Sequence, residues 1–283
     1  MTYQPHFHST FFFILLIFLL PLFSGCDSPK EPAKPAPVET KITAAESKVV
    51  KSLKLDDKDV DDTALAEVCK NNPELLELTL SNTKITDAGL IHLTQLPKLK
   101  KIRLSKTAIT DAGMNSLSKC EYLEDIDLSQ TKIGNLGVWE LRALPRLKRF
   151  NLYLTFVTDS GIDSFQKGEH RSAAKIEWLN LDKCPITDVC LLKLASLTNL
   201  SWMHLGGTAI TDAGLAELAK LEPLKEVIVT KTETTLEGIE KLRQARPDMK
   251  VRDNISENTP QEDIDEAKEY RKTLVKFIEG ADK

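Results

Sequence analysis

From Val50 to Val251 the chain repeats itself, in most copies with a period of 24 residues. A short segment that recurs in this way cannot bury its apolar face alone, so consecutive copies must stack into a solenoid. Residues 75–98 read LLELTLSNTKITDAGLIHLTQLPK. Copies in the same phase begin at Leu99, Leu123, Leu147, Ile176, Leu200 and Leu224, and a degenerate one begins at Val50, which makes eight. The copy from Leu147 is five residues longer, the extra length lying within Gln166–Lys175.

Each copy opens with period-2 alternation. Leu78 and Leu80 alternate with Glu77 and Thr79, the signature of a short strand with one face inward. The spacing then lengthens, and Leu90, Leu93 and Leu96 fall on one side of a helix. Thr86, Thr110, Thr158, Thr187 and Thr211 stand where a helix N-cap is needed. Each is followed by an aspartate: Asp87, Asp111, Asp159, Asp188 and Asp212. Thr accepts an orphan N–H, and Asp suits the positive end of the helix dipole. This acidic row therefore reads as capping, each Asp serving its own copy, and not as a metal site. The fourth position of the TDAG block holds Gly89, Gly113, Gly137, Gly161, Gly214 or Gly238, with Ala64 and Cys190 in the remaining copies. Only small residues occur there, which implies close approach of the helix to neighbouring backbone.

The pattern L-x-x-L-x-L-x-x-[T/C]-x-I-T-D-A-G-L-x-x-L-x-x-L resembles the leucine-rich-repeat family, closest to its ribonuclease-inhibitor-like and cysteine-containing subtypes. The ITDAGL copies are similar to those of lipoproteins of planctomycete bacteria. The resemblance implies an α/β right-handed solenoid with a concave parallel sheet and convex helices. Eight strands about 4.8 Å apart give an inner arc of roughly 38 Å. It also implies that Thr83, Thr107, Thr131, Thr155, Cys184, Thr208 and Thr232 bond the backbone of the turn leaving each strand. The repeat domain is expected over residues 49–251 and a helical cap over 252–283. In that cap Thr259-Pro260-Gln261-Glu262 starts a helix expected from about 260 to 279, with Ile264, Ala267, Leu274 and Ile278 on one face.

The N-terminal segment reads differently. Phe11–Phe23 is an apolar run of 13 residues, short of the roughly 20 that span a bilayer. Residues 1–25 fit a signal peptide. LFSGC resembles a bacterial lipobox, which implies lipid attachment at Cys26 and display on a periplasmic or outer-membrane surface of the cell envelope. The other reading is an uncleaved anchor. Residues 26–48 form a linker carrying Pro29, Pro32, Pro35 and Pro37, a spacer of about 3.1 Å per residue where extended. Thr43–Glu46 (TAAE) is a capping box that could start a short N-terminal cap helix.

Composition narrows the function. Lys and Arg total 38 against 42 Asp and Glu, which leaves no basic footprint for a nucleic acid. The five Cys are too sparse for a disulfide scaffold. No nucleophile elbow, phosphate loop, CxxC pair or HExxH occurs. After the leader only His92, His170 and His204 remain. The chain reads as a non-enzyme without metal or cofactor.

A solenoid binds with the outward strand residues of its concave face. Register places Ser52, Glu77, Lys101, Asp125, Arg149, Trp178, Trp202 and Glu226 in one row. The next holds Lys54, Thr79, Arg103, Asp127, Asn151, Asn180, His204 and Ile228, and a third includes Tyr153 and Asp182. Two patches follow. Lys101, Arg103, Asp125, Asp127 and Arg149 form a charge strip that either pairs with itself or recognises a partner. Trp178 beside Trp202, with Tyr153, Asn180 and His204 near, is an aromatic patch, open to a ligand or covered by the C-terminal helix. The expected function is binding of a protein partner on the concave face. The alternative is a structural or polysaccharide-binding envelope protein, with the aromatic pair stacking on a glycan.

Overall fold

The structure, a computed structural model, describes residues 50–166 and 175–254 together with Glu269, Lys272 and Thr273. Cys26, the leader, the linker and TAAE lie outside the described residues. So do residues 167–174 of the insertion and nearly all of the expected C-terminal helix, of which Glu269, Lys272 and Thr273 are helical.

The repeat forms a single parallel sheet in sequential order: β1 (Ser52–Lys54), β2 (Glu77–Thr79), β3 (Lys101–Arg103), β4 (Asp125–Asp127), β5 (Arg149–Asn151), β6 (Trp178–Asn180), β7 (Trp202–His204), β8 (Glu226–Ile228) and β9 (Lys250–Arg252). Among the described residues there are nine strands where eight copies were expected. Beyond the helix Leu236–Ala245 the chain returns to the sheet, where Val251 is buried and pairs with Val227, while Lys250 and Arg252 point outward. Three residues of alternation are too few to stand out as a copy.

Strands β2 to β8 each bury the middle residue and the apolar residue two further on. From β2 to β8 these are Leu78, Ile102, Ile126, Phe150, Leu179, Met203 and Val227, followed by Leu80, Leu104, Leu128, Leu152, Leu181, Leu205 and Val229. They form one continuous core with the helical segments. Those segments are short. Asp62–Asn71, Asn135–Leu141, Asp212–Leu218 and Leu236–Ala245 are α-helical, but Gly89–Gln95 is 3-10. At three residues per turn the 3-10 form brings residues i and i+3 into line, so the i, i+3 spacing of Leu90, Leu93 and Leu96 suits it equally.

The turn after each strand has its own geometry. Asp57, Asn82, Lys106, Gln130, Leu154, Lys183 and Lys231 all have φ between 54° and 58°, and Gly207 has φ of 62°. Left-handed backbone costs an ordinary residue roughly 1–2 kcal/mol. Here it is held by a hydrogen bond to the following strand's exit: the Asn82 N–H donates to Ser105 O at 2.8 Å and the Leu154 N–H to Asp182 O at 2.9 Å. The threonine next in line donates its hydroxyl to the carbonyl three residues back, as Thr83 does to Leu80 O at 2.6 Å and Thr208 to Leu205 O at 2.5 Å. Cys184 differs. Its thiol donates to Leu152 O of the preceding copy at 3.0 Å.

The helix starts correct the sequence reading. Thr110, Thr158, Thr187 and Thr211 do cap, each hydroxyl oxygen accepting the N–H two residues on. The aspartates, however, do not serve their own copy. Asp87 accepts the Thr110 N–H at 2.8 Å and hydroxyl at 2.7 Å, one copy onward. Asp62 does the same to Thr86, Asp159 to Thr187, Asp188 to Thr211 and Asp212 to Thr235. Each carboxylate is a staple between neighbours. The small residues follow largely from this, and at Gly113 and Gly161 also from the expected backbone approach, an added Cβ there lying 3.3 Å from Asp87 Cα and 3.4 Å from Asn135 Cα. A Cβ on Gly89, Gly214 or Gly238 would lie 2.1–2.2 Å from the carboxylate of Asp62, Asp188 or Asp212. Ala64 lies in the first copy, ahead of every staple among the described residues. Cys190, buried, follows the lengthened copy, where Asp159 still bonds Thr187.

One staple is incomplete. Asp111 meets Gly134, which donates its N–H at 2.7 Å but has no hydroxyl. Burial raises the Asp111 carboxyl above its usual range, against backbone N–H groups that lower it. Gly134 is extended, like Thr110 and Thr158 at the same position. Gly134→Thr should therefore complete the staple and stabilise the domain by about 1 kcal/mol, read as a raised midpoint in thermal unfolding.

Candidate functional site

The first two concave rows stand in the register expected. Trp178 pairs with Trp202, Asn180 with His204, Asp125 with Arg149 and Arg103 with Asp127. A three-residue strand shows two outward side chains, so nine parallel strands make a narrow ribbon of side-chain ladders.

The charge strip satisfies itself. The Arg103 guanidinium donates to both oxygens of Asp125, Nη1 to Oδ1 at 2.8 Å and Nη2 to Oδ2 at 2.7 Å. Its Nε lies 4.0 Å from Asp127 Oδ2. Arg149 Nε reaches Asp125 Oδ2 at 3.6 Å. Asp127, Asn151 and Asn180 also serve the backbone, each accepting the N–H two residues on, from Ser129, Tyr153 and Asp182 at 2.9, 3.2 and 2.9 Å. These short polar side chains shape the turn beyond the strand. Lys101 is half-buried on β3 beside Asp125.

The aromatic patch is built as a stack. The rings of Trp178 and Trp202 lie parallel within 4° at a centroid distance of 4.3 Å. Arg149 Cζ sits 4.6 Å over Trp178, and the His204 ring lies 6.0 Å from Trp202 at 26°. Strand spacing explains this, since ladder neighbours under 5 Å apart bring two flat rings to contact distance. Both indoles are half-buried instead of exposed. Trp178 is covered on one face by Arg149 and on the other by Trp202. Tyr153 stands in the third row, with Lys183 Nζ 5.8 Å over its ring.

Next to the stack, Asp182 Oδ2 lies 3.7 Å from His204 Nδ1, too far for a hydrogen bond. That nitrogen is buried without a hydrogen-bond partner. Burial pushes the Asp182 carboxyl up to about 6, opposed in part by Lys183 and Lys231. Burial also pushes the His204 imidazole down to about 4. Ion pairing would move both groups the other way, so at this separation desolvation outweighs it.

Sequence reasoning missed the convex apolar surface. Leu136, Trp139, Val189 and Leu192 are exposed, Leu136 by 71%, and Arg142 stacks on Trp139. The one available signal was an apolar residue at a polar helical position. The thiols of Cys69, Cys120, Cys184 and Cys190 are free and buried, and burial raises each thiol pKa. Among the described residues no His/Cys/Asp/Glu cluster could hold a metal, and no helix is long and apolar enough to cross a membrane.

No protein-family model matches the chain, and no curated protein matches it. Among solved structures it is similar to an internalin from Listeria monocytogenes, with a TM-score of 0.57 and 18% identity over 74% of this chain and 55% of the internalin. The chain thus spans about half the internalin's length. With nine parallel strands alternating with short helices, the likeness is one of architecture: the chain folds as a leucine-rich-repeat solenoid.

Proposed function

We propose that this chain is a non-catalytic protein-binding module whose concave sheet receives its partner at Tyr153, Trp178, Trp202 and His204. The observation that carries this is the stack running from Arg149 through Trp178 and Trp202 to His204. Half-buried aromatic side chains already fixed by their neighbours lose little freedom on binding, as interface anchors require. A polysaccharide-binding role would need an open ring face for stacking, and with both faces of Trp178 occupied it would rest on the outer face of Trp202. Catalysis finds no support in the strip, where Asp125 is held by Arg103 and Arg149. The lipobox-like LFSGC at Cys26 and the Pro-rich segment after it support display on a lipid-anchored stalk at a bacterial envelope.

The test is capture of partners from native envelope, comparing the chain with a folded Trp178→Ala/Trp202→Ala variant. Loss of a protein partner by at least about tenfold in the variant is expected. Undiminished capture would move binding to the charge strip or off the concave face. Capture of glycan alone would favour the polysaccharide reading.

A further inference from the structure

We propose that the edge of the solenoid where strands begin and helices end docks on an anionic bilayer surface, with the Arg146–Tyr122 and Arg142–Trp139 pairs at headgroup level. This goes beyond the concave-binding reading. It rests on the anchored-stalk reading only for the side from which the chain arrives.

Because the strands are all parallel, every one of them starts at the same edge. Lys98, Lys100, Lys119, Arg146, Lys148 and Lys175 stand exposed along it. Three of these meet acids: Lys98 meets Glu74 at 2.6 Å, Lys100 Glu124 at 3.3 Å and Lys148 Glu177 at 3.9 Å. Among the described residues, no carboxylate lies within 4.0 Å of Lys119, Arg146 or Lys175, and Lys175 donates to Pro145 O at 2.5 Å. The opposite edge carries the staple aspartates from Asp62 to Asp212, with Asp57, Asp59 and Asp61 beside them. A chain of formal charge -4 thus keeps its surplus of cations on one edge and its surplus of carboxylates on the other. Anionic headgroups attract the first and repel the second.

Two exposed aromatic side chains belong to the basic edge. Tyr122 is 44% exposed and Trp139, in the last turn of the helix Asn135–Leu141, is 39% exposed. A guanidinium lies over each ring, Arg146 Cζ at 4.4 Å and Arg142 Cζ at 3.3 Å. An amphipathic ring with a cation beside it suits the headgroup layer, where one part meets acyl chains and the other phosphate. Tyr122, Arg146, Lys148 and Lys175 line one open cleft there, together with Glu121, Glu124 and Pro145. The described chain also begins on this side, since Val50 and Lys51 lead into β1. The 23 residues between Cys26 and Val50 reach roughly 70 Å where extended. A lipid at Cys26 would therefore present the basic edge to the bilayer.

The full chain is reconstituted with phosphatidylcholine vesicles and, separately, with vesicles rich in phosphatidylglycerol. Flotation reads attachment. Lysine acetylation followed by mass spectrometry reads which edge is covered. Lys119 and Lys175 should acetylate about fivefold more slowly on phosphatidylglycerol than on phosphatidylcholine. Lys106 and Lys132, exposed on the opposite edge of the same copies, should react alike on both. High salt should remove the difference. Arg146→Glu/Lys148→Glu should abolish the protection of Lys119 and Lys175 while leaving the thermal midpoint in place. Flotation with both vesicles and no protection overturns the docking edge, leaves the anchor standing, and makes an acidic protein the remaining occupant. Flotation and protection with phosphatidylglycerol alone uphold the edge and overturn the anchor. Flotation with neither overturns both, and so does equal protection of the two edges for the docking edge alone. Comparison of the two vesicles on the unsubstituted chain keeps the test valid should the variant fold poorly.

Discussion

Gly214→Ala is expected to destabilise the domain by about 2–4 kcal/mol, although alanine is the better helix former. The added Cβ would lie 2.2 Å from Asp188 Oδ1 and 2.9 Å from both Asp188 Cγ and Ile210 Cγ2. It must push the carboxylate away from the Thr211 N–H and hydroxyl, which now donate to it at 2.9 and 2.6 Å. Two charge-assisted hydrogen bonds between copies are then lost, and a partly buried N–H is left without its acceptor. A double-mutant cycle separates this from a general intolerance of side chains. Asp188→Ala alone should cost about 2 kcal/mol. In that background Gly214→Ala should cost nothing, or stabilise by up to about 1 kcal/mol through helix propensity. Additive effects in denaturant unfolding would show that the glycine is small for another reason.

The second large effect concerns pH. In the folded state Asp182 titrates near 6 against an ordinary 3.8, so it binds more protons than in the unfolded chain between those values. Its contribution to stability is present in acid and lost as pH rises through 6. His204 titrates near 4 against an ordinary 6.5, so its contribution is lost as pH falls through 4. The two slopes oppose each other between about pH 4 and 6, and the pair contributes little net pH dependence. Removing one partner exposes the other. Relative to the parent, Asp182→Asn should gain stability from about pH 4 to 6, and His204→Gln should lose stability from about pH 4 to 6.5, each by about 2 kcal/mol. Unfolding midpoints of the three proteins across this range check the signs. Parallel curves would mean that burial does not govern either group.

Much of the architecture is legible in one copy. Leu78 and Leu80 alternate because a strand points successive side chains to opposite faces, and Thr110 or Thr211 marks a helix start because a cap acts within one turn. These are local rules, and eight repetitions leave little doubt about phase. The rows of the concave face were equally accessible, because a parallel in-register sheet carries each outward residue onto its counterpart in the next copy.

What needed tertiary structure was every relation between copies. Asp87 bonds Thr110 and not the helix it begins, because stacking brings one copy's carboxylate to the next copy's cap. Trp178 and Trp202 were visible as neighbours, yet only the structure showed their parallel contact, with Arg149 on the outer face of Trp178, that makes them a half-buried stack. The ninth strand came from packing that buries Val251 against the last full copy. The opposed pKa shifts of Asp182 and His204 depend on burial between strands from separate copies. Sequence alone determined the repeat, its elements and the residues of each face, because those follow from periodicity along the chain. Contacts between copies were decided by stacking, because hydrogen bonds, ring contacts and desolvation act through space over a few ångströms between residues some 24 positions apart.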